Sequence, residues 1–147
     1  MEELDNKDKI LKGAEDLFMK YGVRSISMDD IARHLSVSKK TLYQYFADKD
    51  ELVTLFSKSH LERHAKEFDT IQEMAGDSIE ELARISICMK KNLEGINQTM
   101  LFDLQKFHPK AWSVWIDFKH KFIFESVVRN LKQGIKDGYI RPEVDPD

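Results

Sequence analysis

Wherever this sequence has a period, apolar residues recur at three- and four-residue steps. Ile10, Leu11, Ala14, Leu17, Phe18 and Tyr21 fall on one helix face. Gly22 follows, and a glycine can close a helix in the left-handed conformation without a Cβ penalty. No stretch shows the apolar–polar alternation of a half-buried strand. Only six glycines and three prolines are spread over 147 residues. The fold class that follows is all-α.

Capping signals divide the rest into further helices. Ser27 precedes Met28–Leu35, where Asp29 and Asp30 suit the positive end of the helix dipole and Ile31, Ala32 and Leu35 give a buried stripe. Ser36-Val37 is a tight break, and Ser38 caps a third helix over about 39–45 with Leu42 and Phe46 turned inward. Asp48 and Glu51 have capping-box spacing, so a fourth helix starts near Lys49 and ends before Gly76. Asp77 and Ser78 cap a fifth helix that carries Ile79, Leu82, Ala83, Ile85, Ile87 and Met89. A sixth spans about 99–107. Pro109 opens one long seventh helix that runs through Trp112, Trp115, Phe118, Phe122, Leu131 and Ile135 to Gly138. The tail then reads as a loop. Asp145-Pro146 has the form of a helix start, so the expectation is that a C-terminal part follows these residues.

Composition narrows the function. Hydrophobic residues make up 41% and charged residues 33%, the balance of a folded globular chain. One cysteine, Cys88, cannot form an internal disulfide, and the acidic N-terminus lacks the regions of an export signal. A cytoplasmic location is the expectation. No apolar run approaches the roughly 20 residues that span a bilayer, so no membrane partner is expected. The net charge of −3 argues against coating nucleic acid by bulk charge. Any DNA contact must come from a local cluster such as Arg33, Lys39, Lys40 and Lys49, where Asp48 is the only opposing charge within residues 33–49.

Catalytic chemistry finds little support. There is no Ser/His/Asp set, phosphate loop or persuasive pair of carboxylates. His60 and His64 have the four-residue spacing of a metal pair. Leu61 stands where a zinc protease needs Glu, and Glu62 is one position late. Surface or pocket-rim histidines are the better reading, with His120 a third ligand only if folding brings it near. Cys88 reads as a small buried residue and not as a redox sensor. No enzyme activity, metal or cofactor is expected.

Two short helices joined by a tight turn and braced by a preceding helix are a DNA-reading unit whose second short helix enters the major groove. Residues 38–46, SKKTLYQYF, carry what that helix needs. Ser38, Lys39, Lys40, Thr41 and Gln44 are polar, while Leu42 and Phe46 anchor inward. Tyr43 and Tyr45 offer hydroxyls to phosphates and ring edges to thymine methyls. Lys49 can reach a phosphate through its ammonium or its backbone amide.

At these residues the sequence resembles the N-terminal domain of TetR-family transcriptional regulators. The resemblance rests on A-x-x-L-F-x-x-Y-G at Ala14–Gly22, I-A-x-x-L at Ile31–Leu35, and V-S-K-x-T-L-Y-x-Y-F-x-x-K-x-E-L at Val37–Leu52. Two positions depart from the pattern: Ser36 stands where the family usually has Gly, and Lys40 where it often has a small residue. Ser36 is expected to add slight backbone strain, and Lys40 to change which bases or phosphates are touched. The closing G-Y-I-R-P-E-V-D-P at Gly138–Pro146 resembles the family's regulatory domain more loosely.

The resemblance implies a helix-turn-helix domain at 1–50 and a helical regulatory domain at 51–147, with the dimerisation helices expected beyond it. It also implies a ligand-responsive regulator, most often a repressor, that binds double-stranded operator DNA as a homodimer. Ser27, Ser38, Lys39, Lys40, Thr41, Tyr43, Gln44, Tyr45 and Lys49 are the implied DNA contacts. A small apolar or amphipathic effector would sit among His64, Phe68, Met89, Met100, Phe107, Trp115, Phe118 and Phe122, since helix-bundle pockets are walled by such residues.

Overall fold

The computed structural model describes residues 2–147, with side chains from residue 6 onward. The helices are α1 (Glu2–Tyr21), α2 (Met28–His34), α3 (Lys39–Tyr45), α4 (Lys49–Met74), α5 (Ser78–Glu94), α6 (Gln98–Phe107), α7 (Pro109–Phe118) and α8 (Glu125–Lys136). Among the described residues there is no strand.

Local chemistry sets the ends of these helices. Ser27 caps α2 in a reciprocal box: its hydroxyl accepts the N–H of Asp30 at 3.1 Å, and the Asp30 carboxylate accepts the N–H of Ser27 at 2.9 Å. Ser38 caps α3 by accepting the N–H of Thr41 at 3.0 Å. Asp48 accepts from the N–H of Glu51 at 2.8 Å, while the Glu51 carboxylate accepts the N–H of Ala47, one residue before the cap, in place of the Asp48 N–H that a reciprocal box would use. Gly22 adopts φ +84° and Gly138 φ +82°, the left-handed closures expected after Tyr21 and near the end of α8.

The long seventh helix is interrupted. Between α7 and α8, Lys119–Phe124 winds as a π-helix, and the N–H of Glu125 reaches back to the carbonyl of His120. A π turn changes the register by only part of a turn. The loose apolar spacing through Phe118, Phe122 and Val127 fits either winding, so the sequence does not reveal the break.

The chain forms two compact units. The first joins the residues up to His60 with Gly95–Trp115; the second joins Leu61–Glu94 with Ile116–Asp147. In the first, Phe18, Ile31, Leu42, Phe46, Leu52, Phe56, Met100 and Leu104 are almost wholly removed from water. Leu42 and Phe46 thus seat α3 in a core built by α1, α2, the start of α4, and α6. Full burial of each such side chain stabilises the fold by about 1.5–3 kcal/mol. Gly13 makes the α1–α2 approach possible, because a Cβ there would collide with the side chain of Leu35.

In the second unit, α5 and α8 meet through polar groups. Asn130 of α8 is fully buried and donates to the Ser78 carbonyl at 2.9 Å and to Glu81 at 3.1 Å. Arg129 pairs with Glu81 at 2.7 Å. Phe68 meets Phe118 edge to face at 6.3 Å between ring centroids, and Phe118 stacks on Phe122 at 5.3 Å.

Candidate nucleic-acid interface

The buried side of α3 leaves its other side to solvent. Lys40, Tyr43 and Gln44 are exposed, Tyr43 at 44%. Tyr45 is half-buried and packs against the core, so one face of its ring is committed to folding. Ser38 and Thr41 are joined hydroxyl to hydroxyl at 2.8 Å while Ser38 caps the helix. Ser27 is similarly engaged in the α2 box.

The cations differ in what already holds them. Lys39 is paired with Asp29 of α2 at 3.0 Å. The hydrogen bond and charge of Asp29 raise the Lys39 ammonium above its ordinary pKa. Lys49 turns its ammonium inward to the carbonyl of Val23 at 2.6 Å. Burial pushes the Lys49 pKa down, while Asp103 and Asp30 pull it up. Arg33 lies at the outer limit of an ion pair with Asp30, 4.0 Å away. Ser27, Lys39, Tyr43 and Lys49 line one shallow depression with Arg24, which places residues of α2, α3, α4 and the α1–α2 turn on a common surface.

Sequence reasoning missed two residues, one at this surface and one beneath it. Arg24, in the α1–α2 turn, is exposed beside the predicted contacts. Asp103, on α6, is buried and accepts the backbone N–H groups of Val23 at 3.0 Å and Arg24 at 2.8 Å. A signal for Asp103 was present: it is an acidic residue between Met100 and Leu104 on the apolar face of α6.

The predicted effector residues fall in both units. Met100 lies fully buried in the first unit's core. Phe107 is 41% exposed, with Arg24 and Lys106 over its ring. Trp115 stacks on His60 at 5.4 Å. In the second unit, Phe68, Phe118 and Phe122 form the aromatic chain described above, Met89 is half-buried on α5, and His64 bonds to Glu67 at 3.2 Å.

Two of the histidines considered as metal ligands, His60 and His64, are bonded to carboxylates. His60 is buried and bonds to Glu15 of α1 at 2.9 Å. Among the described residues, no group of three or more His, Cys, Asp or Glu side chains could hold a metal ion. Cys88 is half-buried, not the fully buried residue that its sequence context suggests, and its thiol donates to Glu67 at 3.4 Å. Among the described residues, no helix is long and apolar enough to cross a membrane.

A preceding helix α1 that braces two short helices, the second anchored on one side and polar on the other, is the arrangement of a helix-turn-helix unit. Residues 10–54 match the family described as "Bacterial regulatory proteins, tetR family". The chain is 32% identical over 89 residues to the HTH-type transcriptional regulator YvaF of Bacillus subtilis, covering 60% of this chain and 47% of YvaF. It is 24% identical over 144 residues to the HTH-type transcriptional repressor KstR2 of Mycobacterium tuberculosis, covering 96% of this chain and 72% of KstR2. It therefore spans about half the length of YvaF and under three quarters of KstR2.

The solved structure of ketosteroid transcriptional regulator KstR2 superposes with a TM-score of 0.74 at 25% identity, covering 97% of this chain and 74% of that one. A second solved structure, a TetR/AcrR-family regulator, reaches a TM-score of 0.85 at 16% identity, covering 95% and 76%, and shares the fold. The family match is confined to residues 10–54, and over the rest of its length the chain is similar to regulators of that family.

Proposed function

We propose that this chain is a transcriptional regulator, a repressor by preference, that binds double-stranded operator DNA as a homodimer and responds to a small effector. It acts by binding and not by catalysis. Residues 1–50 serve as the reading head and 51–147 as regulatory helices.

The observation that carries this reading is the two-sidedness of α3. Leu42 and the following Phe46 are 0% and 1% exposed, whereas Lys40, Tyr43 and Gln44 face solvent. Paired in a dimer, two such helices read successive major grooves about 34–36 Å apart.

An apolar or amphipathic effector is the class that the aromatic chain Phe68–Phe118–Phe122 would accept, with Met89 and His64 in the same unit. The relation to a ketosteroid regulator agrees with an apolar ligand. The remaining sequence-predicted residues, Met100, Phe107 and Trp115, lie in the other unit. An effector that binds the form with mismatched reading heads more tightly shifts the population away from DNA.

The test is selection of bound duplexes from a random-sequence pool, followed by affinity measurements on the selected sequence. Wild-type protein is expected to bind it selectively and with strong salt dependence. Gln44→Ala, which removes a base-edge contact, should weaken binding about ten-fold and relax preference at one position per half-site. Absence of sequence-selective binding by the wild type rejects the reading.

A further inference from the structure

We infer that Arg24 is a phosphate-binding residue of the DNA interface and that Phe107 of α6 holds it in position; this rests on the DNA-binding reading above. Arg24 lies in the turn between α1 and α2 and shares a surface depression with Lys39, Tyr43 and Lys49. Two of those neighbours are already engaged, Lys39 with Asp29 and Lys49 with the carbonyl of Val23. Among the described residues, no carboxylate pairs with the Arg24 guanidinium, so its charge is available to an incoming anion.

Its position is fixed from two directions. The backbone N–H of Arg24 donates to Asp103 at 2.8 Å, which anchors the main chain to α6. One helical turn further along α6, the ring of Phe107 lies 5.1 Å from the guanidinium carbon. An arginine resting on a ring spends its flat face on the aromatic and keeps its in-plane N–H donors for a planar or tetrahedral oxyanion. A phosphate oxygen pair matches that fork. Lys106 lies over the same ring at 5.4 Å, a second cation at this aromatic. Asp103 and Phe107 together let α6 set where a DNA-contacting cation stands.

The experiment uses the full chain and the duplex recovered by selection, with a scrambled duplex as its non-specific counterpart. Dissociation constants are measured from about 50 to about 200 mM salt for wild type, Arg24→Ala, Arg24→Lys, Phe107→Leu and the double variant Arg24→Ala/Phe107→Leu. Thermal melts confirm that each is folded. Arg24→Ala is expected to reduce the slope of log affinity against log salt by roughly 1 for each phosphate that the arginine neutralises. It should weaken the selected and scrambled duplexes by the same factor, because phosphates carry no sequence information. Arg24→Lys should keep the wild-type slope.

Phe107→Leu should weaken binding about two- to five-fold, because the guanidinium no longer rests on a ring. In the Arg24→Ala background it should have no further effect. An Arg24→Ala variant with the wild-type slope overturns the phosphate assignment. An undiminished effect of Phe107→Leu in the Arg24→Ala background overturns the positioning role. If wild-type protein binds neither duplex, the DNA reading fails along with this one, an outcome distinct from either.

Discussion

Oδ2 of Asp103 accepts the backbone N–H of Val23 at 3.0 Å, inside the core of the first unit. The carbonyl of the same valine accepts the ammonium of Lys49 at 2.6 Å. Both peptide groups of Val23, itself fully buried, are therefore satisfied by charged side chains, one from α6 and one from α4. The carbonyl also accepts the N–H of Ile26 at 3.3 Å, and a buried peptide group without a partner costs about 1–3 kcal/mol, so the α1–α2 turn depends most on the acceptor that Asp103 gives the Val23 N–H. Gly22 lets the turn come this close: a Cβ there would stand 3.2 Å from Oδ2 of Asp103, on a backbone already at φ +84°.

Removing the acceptor should therefore cost the fold. Asp103→Ala leaves the N–H groups of Val23 and Arg24 without it and is expected to lower unfolding free energy by roughly 2–3 kcal/mol in urea titrations. Asp103→Asn keeps an acceptor oxygen and should lose less. Equal losses in the two variants would show that the carboxylate's hydrogen bonds are not what stabilises the turn.

Ser36 stands at φ +54°, the left-handed region where a side chain costs about 1–2 kcal/mol. Ser36→Gly is expected to raise stability by about 1 kcal/mol, after the greater freedom of glycine in the unfolded chain is subtracted. For a chain of this length that is a rise of about 2–4 °C in Tm. A melt that is unchanged or lower would refute strain at this turn.

Acid should weaken both units through identifiable carboxylates. The N–H of Ser27, and then its hydroxyl, hold the Asp30 carboxyl below its ordinary pKa. The N–H of Gly76, followed by Arg84, does the same for Glu80. A depressed carboxylate stabilises the fold while charged. Its contribution is complete above the ordinary carboxylate range and is lost as pH falls through the lower native value. Urea midpoints measured from about pH 5 down to about pH 3 should fall less steeply for Asp30→Asn and Glu80→Gln than for wild type. Parallel curves would exclude these two groups as the source.

Cys88 should react sluggishly. Burial, and then the hydrogen bond and charge of Glu67, raise its thiol above the ordinary value, so little thiolate is present at neutral pH. Glu67 resists burial's upward pull because His64, Asn92 and Cys88 donate to it. Glu67→Gln is expected to speed alkylation of Cys88 at about pH 7 several-fold, following the larger thiolate fraction. An unchanged rate would mean that access, and not charge, controls the thiol.

Much of the helical plan was legible along the chain. The caps at Ser27 and Asp48 are short-range and formed as the residue types require, whereas the return bond expected from Glu51 went to Ala47, one residue before the cap. Leu42 and Phe46 went to the core because their spacing places them on one face. The π turn at Lys119–Phe124 was not legible, because its side-chain pattern is compatible with an ordinary helix. Neither was the engagement of Lys39 and Lys49, which in sequence are simply two members of a basic cluster.

The sequence by itself determined most of the helices, several of their caps and the two-sided reading helix, since period and capping act within a turn or two of chain. Only the tertiary structure decided which charges are held and which stand ready. Asp103 reaches Val23 across 80 residues and Lys49 reaches it across 26. Charge pairing and desolvation depend on distance in space, and packing alone sets that distance.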